Sequence, residues 1–233
     1  MTDINKSEKY LKPISELGFG QSQGHGLFWD SQIRVRVFGL EPCINDTKKY
    51  DIESFENRID QNENVSLKTL GAKNIGFGDL IRFYEADFSK KYTLILVRYK
   101  QSGNYKCVKE VVEIEYSIDL RNYLFGTATI EELTDYVNYI KSIPPGRVDT
   151  KTKKEYKQIK KTIQDTNNMN ICINPKIDSK KQRRVQCSIN IDKIYKDVPW
   201  CVISKVEEPI VRGIRIDEKI HSPSRIKNKN KTE

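Results

Sequence analysis

The sequence predicts an α/β (α+β) fold: a mixed central β-sheet flanked by helices, with a basic C-terminal β-hairpin. Three stretches carry that prediction. "KYTLILVRYKQ" (91–101) and "YKCVKEVVEIEYSI" (105–118) are rich in β-branched and aromatic residues and are separated by the turn "SGN", so 91–118 reads as a hairpin. "TIEELTDYVNYIKSIPPG" opens with Thr129 and Glu132 at capping-box spacing, carries Leu133, Tyr136, Val137 and Ile140 as an apolar stripe and stops at "PPG", which defines a helix. "MNICIN" and "RRVQCSINI", joined by "PKIDSKK", read as two further strands, the second alternating Val185, Cys187, Ile189 with Arg184, Gln186, Ser188 and Asn190.

The other elements follow in order. "SQGHGLFWDSQIRVRVFGLEP" supports two periods. Trp29, Ile33, Val37 and Leu40 fit a helix, while Ile33, Val35 and Val37 fit a strand. The helix is the better reading, with Gly39 and Pro42 ending it. "NVSLKT" (64–69) is a short strand, followed by the Gly-rich turn "LGAKNIGFGD". "DLIRFYEADF" is either a helix opened by Asp79 or another strand. "KTKKEYKQIKKTIQDTNN" is a Lys-studded helix with Tyr156, Ile159 and Ile163 inward. The expected organisation is a catalytic core over 1–146, a basic recognition part of the same domain over 147–221, and a basic, disordered tail over 222–233.

Charge points to the partner. The formal net charge is +9, and its distribution is uneven. Residues 1–146 hold 19 Lys and Arg against 21 Asp and Glu, a net −2; residues 147–233 hold 22 against 11, a net +11. A cationic last third suits a polyanion, nucleic acid first and an acidic membrane surface second. No apolar run approaches bilayer length and the N-terminus lacks a signal-peptide core, so an intracellular, cytoplasmic chain without membrane contact is expected. Five cysteines with no C-x-x-C pair, and only His25 and His221 as histidines, argue against a disulfide scaffold or a zinc site.

No P-loop, nucleophile elbow, zincin motif or Rossmann fingerprint is present. The stretch with chemistry in it is "YDIESFENRIDQNENVSLKTLGAKNIGFGD". Metal-assisted phosphodiester cleavage needs carboxylates converging on a hard cation and a Lys near the attacking water. Asp51 can supply one carboxylate, and Asp79, after the Gly-rich turn, the second, with Glu85 as a substitute. Lys68 sits on the strand with Ser66 on the same face, because side chains repeat every two residues.

An acid followed at short range by a strand ending in (D/E)-x-K is the signature of the PD-(D/E)XK nucleases, which this arrangement resembles, with Ser66-Leu67-Lys68 as the x-K element and serine in place of the usual acid. The blocks "NVSLKTLGAKNIGFGDLIRFY", "LVRYKQ", "LFGTATIEEL" and "NPKIDSKKQRRVQCSI" are similar to restriction endonucleases of large algal DNA viruses, such as those of chlorella viruses. The resemblance implies a restriction-endonuclease-like fold and a virus-encoded type II site-specific deoxyribonuclease that is Mg²⁺-dependent, homodimeric and accompanied by a DNA methyltransferase. Asp51 and Asp79 would hold the metal, and Lys68 would act on the water and phosphate. A competing placement takes Asp79 as first acid and Lys100 as the lysine, with Arg98 at the acid position.

In such an enzyme, the strand bearing Arg184, Gln186, Ser188 and Asn190 has the side chains that read base edges: Arg suits guanine, Gln and Asn suit adenine. Lys180, Lys181 and Arg183 would hold phosphates. Two other readings stay open: a non-catalytic DNA-binding protein with a degenerate nuclease fold, which Ser66 favours, and an RNA-binding protein, which exposed sheet aromatics would favour.

Overall fold

A computed structural model describes residues 24–42, 49–177 and 182–222. The chain is mixed α/β, as the sequence predicts. In order, it forms α1 (Gly24–Gln32) running into a π-helical turn (Ile33–Val37), β1 (Glu63–Leu70), β2 (Asn74–Asp79), α2 (Leu80–Tyr84), β3 (Lys91–Ser102) and β4 (Tyr105–Glu115). There follow α3 (Ile118–Phe125), α4 (Ile130–Ser142), α5 (Thr150–Thr166), β5 (Cys172–Ile177), β6 (Arg183–Asn190), α6 (Ile191–Asp197), a 3₁₀ turn (Pro199–Cys201), β7 (Val202–Val206), β8 (Ile210–Val211), β9 (Ile214–Arg215) and β10 (Lys219–His221). The tail beyond residue 222 and the Lys180–Lys181 segment lie outside the described residues.

The chain divides into two compact units: one within Met1–Ala72, Thr93–Ile114 and Ile203–Glu233, the other Lys73–Tyr92 and Glu115–Val202. The charge boundary at residue 146 falls inside the second unit, so charge and packing do not share a border.

The first unit is built on a sheet of order β1-β3-β4-β10, with β7 also pairing to β4. β3 is buried from Tyr92 to Val97, which explains its unbroken apolar run: both faces are covered. It turns into β4 through Gly103, whose φ of +55° is the left-handed conformation a tight turn requires. Residues 24–37 are helical because Trp29 and Ile33, four apart, pack together with Val65, Leu67, Ile95, Val97 and Val111 in one core. The helix is tied down at its polar side too. Trp29 Nε1 donates to the Asp217 carbonyl at 2.9 Å, Gln32 Nε2 to Asp217 Oδ2 at 2.7 Å, and Arg36 pairs with Asp217 Oδ1 at 2.9 Å.

A buried ion network locks three segments of this unit together. Arg212 places its fork on Glu63 at 2.8 and 2.7 Å and its Nε on Glu113 at 3.0 Å. Thr93 Oγ1 donates to Glu63 at 2.5 Å, and Asn57 Nδ2 donates to it at 3.2 Å. Burial alone would raise the Glu63 carboxyl, but Arg212 and Thr93 outweigh it and hold it below its ordinary 4.5.

The second unit has an antiparallel sheet of order β2-β6-β5. Cys172 lies opposite Ser188 and Ile177 opposite Arg183; on the other side Asn74 lies opposite Asn190, with a bulge between Gly76 and Gly78. Val185, Cys187 and Ile189 are buried while the residues between them are not, the alternation expected of a half-covered sheet. α4 covers the buried face and carries the full capping box of Thr129 and Glu132. α2 joins through stacked aromatics, Phe83 against Phe77 at 4.3 Å and against Tyr116 at 4.1 Å. Gly126, at φ +58°, meets the Asn167 carbonyl so closely that an added Cβ would lie 1.8 Å from the oxygen, so no side chain fits there.

Arg212→Ala is expected to cost about 3–5 kcal/mol, because it strands two buried carboxylates. Urea unfolding of the variant checks this. The Glu63 part of the stabilisation is present above pH 4.5 and is lost as pH falls through the lowered folded value, so the difference from wild type should shrink in acid.

Candidate active site

The edge of β1 assembles the chemistry in the first unit. Val65 and Leu67 anchor the strand in the core. Ile52 runs alongside, exchanging backbone hydrogen bonds with Val65 at 2.9 and 2.8 Å. Arg34, buried in the π-helical turn, donates to the carbonyls of Asp51 and Glu41 and pairs with Glu56. Asp51 is therefore held by its own backbone as well as by its neighbours. Its Oδ2 accepts from Leu67 N at 2.8 Å and from Lys68 Nζ at 3.3 Å. The side chains of Lys68 and Asp51 are 30% and 41% exposed, so an approaching ligand can reach both.

A second carboxylate comes from α1. Asp30 Oδ1 accepts from Thr69 Oγ1 at 3.4 Å. Burial pushes the Asp30 carboxyl from 3.8 up to about 7, and the negative charge of Asp51 adds to the rise, against smaller opposing effects of Lys68 and Thr69. The remaining oxygens, Asp30 Oδ2 and Asp51 Oδ1, have no protein partner among the described residues.

Two carboxylates with free oxygens beside an ammonium suit a hard divalent cation. Mg²⁺ keeps several waters and asks the protein for only one or two carboxylates, so Asp30 and Asp51 are the residues here that could hold it. Among the described residues, no group of three or more His, Cys, Asp or Glu could hold a metal. A cation held by both carboxylates would also offset the burial and the repulsion from Asp51 that raise the Asp30 carboxyl.

The other sequence-derived candidates are placed elsewhere. Ser66 is 3% exposed and brings no charge. Asp79 belongs to the second unit and caps α2, accepting from Arg82 N at 3.0 Å. Glu85 is exposed at the other end of that helix. Arg98 is committed to the buried Glu110, and Lys100 is exposed on β3. Within the first unit, then, the structure brings together Asp51, Lys68 and Asp30.

On β6, Arg184 is exposed, and Gln186, Ser188 and Asn190 are half-buried on the open face. Three of the expected DNA-contacting side chains are engaged internally. Arg183 donates to the carbonyls of Ile143, Pro144 and Gly146, clamping the end of α4. Ser188 accepts from Asn174 Nδ2 at 2.7 Å, and Asn190 caps α6 by accepting from Asp192 N at 2.9 Å. Lys180 and Lys181 lie outside the described residues.

Asp30 went unnoticed in the sequence because a single acid in "FWDSQIR" looks like any solvent-facing helix residue. The one available signal was its place one residue after Trp29, whose burial fixes the rotation of the helix. A comparison of the chain with family models, with curated proteins and with solved structures finds no match.

Asp30 makes stability depend on pH. Its folded value lies above its unfolded one, so the folded state binds the proton more tightly, and stability is lost as pH rises from about 4 to about 7. In metal-free buffer, Asp30→Asn should flatten that dependence and unfold at higher temperature than wild type above pH 7, by ~2–4 °C for each kcal/mol of relieved strain. Thermal melts from pH 4 to 8 test this.

Proposed function

We propose that the protein is a divalent-metal-dependent endonuclease of restriction type that hydrolyses phosphodiester bonds of double-stranded DNA. The observation that carries this reading is the cluster of Asp30, Asp51 and Lys68 on one strand edge. The excess of positive charge in the last third of the chain supports a DNA substrate.

Each side chain has a separate task in this reading. Lys68, braced on Asp51 Oδ2, meets the scissile phosphate with a fixed ammonium and stabilises the charge that grows on its oxygens. The same ammonium orients the water that attacks phosphorus. Asp51 and Asp30 would hold Mg²⁺ through their free oxygens, once Asp30 has lost its proton. When bound, the ion supplies Lewis-acid stabilisation of the phosphoryl oxygen and a lower pKa for bound water. The P–O3′ bond breaks, leaving 5′-phosphate and 3′-hydroxyl ends. Cutting both strands of a palindrome calls for two copies related by a two-fold axis, so a homodimer is part of the proposal. So is a companion DNA methyltransferase that protects the same sites in the genome encoding the pair.

A second reading, a DNA-binding protein without activity, is favoured by Ser66, which stands where the related signature has an acid. Incubating the full chain with unmethylated plasmid in Mg²⁺ or EDTA separates the two. Discrete Mg²⁺-dependent fragments are expected, with the rate reduced about 10²–10³-fold in Lys68→Ala. Undiminished cutting by Lys68→Ala would move the site elsewhere. A salt-sensitive band shift with no cutting at all would favour the inactive binder.

A further inference from the structure

The open face of the β2-β6-β5 sheet presents three side chains, Lys176, Arg184 and Gln186, that no side chain or backbone group among the described residues engages. Lys176 lies directly opposite Arg184, and Asn174 directly opposite Gln186. Side chains opposite one another on an antiparallel pair stand about 5 Å apart, so Lys176 and Arg184 are a like-charge pair, which is destabilising unless an anion or acceptor meets it. Neither cation has an acidic partner or hydrogen-bond acceptor among the described residues, and the Gln186 amide is also unengaged. The nearest acid in register, Asp79 opposite Gln186, has its carboxylate directed to the α2 backbone. Asn174 is oriented by its bond to Ser188, which steadies the surface beside Gln186.

The face is also flat on its β2 side. Gly76 lies opposite Ser188 on the open face, and a Cβ added there would meet nothing within 4 Å, so a ligand can lie close to that edge. No aromatic residue points outward from it: Phe77 is stacked on Phe83. Single-stranded nucleic acids and RNA loops are held largely by stacking on aromatics, so this face is unsuited to them. A two-stranded ribbon of cations and amides matches the duplex major groove, which is about 12 Å wide and lined with acceptors.

We propose that the β5–β6 ribbon is a base-reading surface for duplex DNA, with Arg184 on a guanine, Gln186 on an adenine and Lys176 beside them on an acceptor or phosphate. Arg184 and Gln186 are two residues apart on one strand face, about 7 Å, which spans two base-pair steps. The reading set thus moves from one strand to two, and Arg183, Ser188 and Asn190 become its scaffold. This inference takes its duplex substrate from the proposed function, but it requires no cleavage.

The test is selection from a pool of randomised duplex DNA by the full chain in EDTA, followed by sequencing of the bound fraction. The expected motif contains a guanine and an adenine two steps apart. Gln186→Ala should lose the adenine preference about 5- to 100-fold while keeping affinity for the unselected pool. Arg184→Ala should lose the guanine preference to a similar extent. Thermal melts should show Gln186→Ala matching wild type and Arg184→Ala at or slightly above it, because the like-charge contact with Lys176 is relieved. Binding without any enriched motif, a motif unchanged by both substitutions, or a preference for single-stranded DNA or RNA would overturn the inference. An enriched motif without Mg²⁺-dependent cutting would sustain it and reject the nuclease; cutting with no motif would do the reverse.

Discussion

The carboxylate of Glu63 is the point on which the first unit turns. It stands at the start of β1 and is 1% exposed, yet it is charged, because the Arg212 fork, the Thr93 hydroxyl and the Asn57 amide all donate to it. A buried charge is tolerated only when it is paired and hydrogen-bonded, so these partners are obligatory. Through them Glu63 fixes the 210–213 segment, β3 and the loop that precedes β1 in a single arrangement. β1 carries Leu67, Lys68 and Thr69 downstream of that anchor, and all three contact the acids of the candidate site.

The site is economical in how it is held. Asp51 does not lie on a strand of the main sheet, but its neighbour Ile52 is bridged to Val65, and Arg34 grips its carbonyl. Asp30 arrives on a helix whose rotation is dictated by the burial of Trp29 and Ile33 and by the bonds to Asp217. Apolar packing sets the helix and strand, and the polar cluster is what the packing leaves at the edge. Its cost is visible in Asp30, a carboxyl pushed up to about 7 by burial and by a like charge. Strained ionisation of this kind is common where a protein waits for a cation or a substrate.

Local signals were legible in the sequence and tertiary ones were not. The Thr129–Glu132 capping box, the apolar stripe of α4, the 91–118 hairpin and the alternation of β6 all depend on neighbours within a few residues, and each is present. Asp51 and Lys68 could be paired through the resemblance to the nuclease signature, whose acid and lysine lie at short range; here they are 17 residues apart. Asp30 could not, since its partner Thr69 is 39 residues away and the acid has no motif of its own. Asp79 followed a helix-capping rule that competes for the same residue type as a metal ligand. Arg183 looked like a phosphate contact because the carbonyls it binds, near residue 144, are invisible to a strand pattern. Sequence also placed the charge boundary in the interior of a compact unit, because charge marks partners rather than packing.

Binding of Mn²⁺, a hard octahedral cation that substitutes for Mg²⁺ in oxygen sites, tests the assembly of this site most directly. Electron paramagnetic resonance of free Mn²⁺ during titration counts the ions held by each chain. One saturable ion per chain is expected for the wild type at pH 8, weakened at least tenfold in both Asp51→Asn and Asp30→Asn. Binding that is unchanged in both variants, or no saturable binding by the wild type, would contradict a metal site at Asp30 and Asp51.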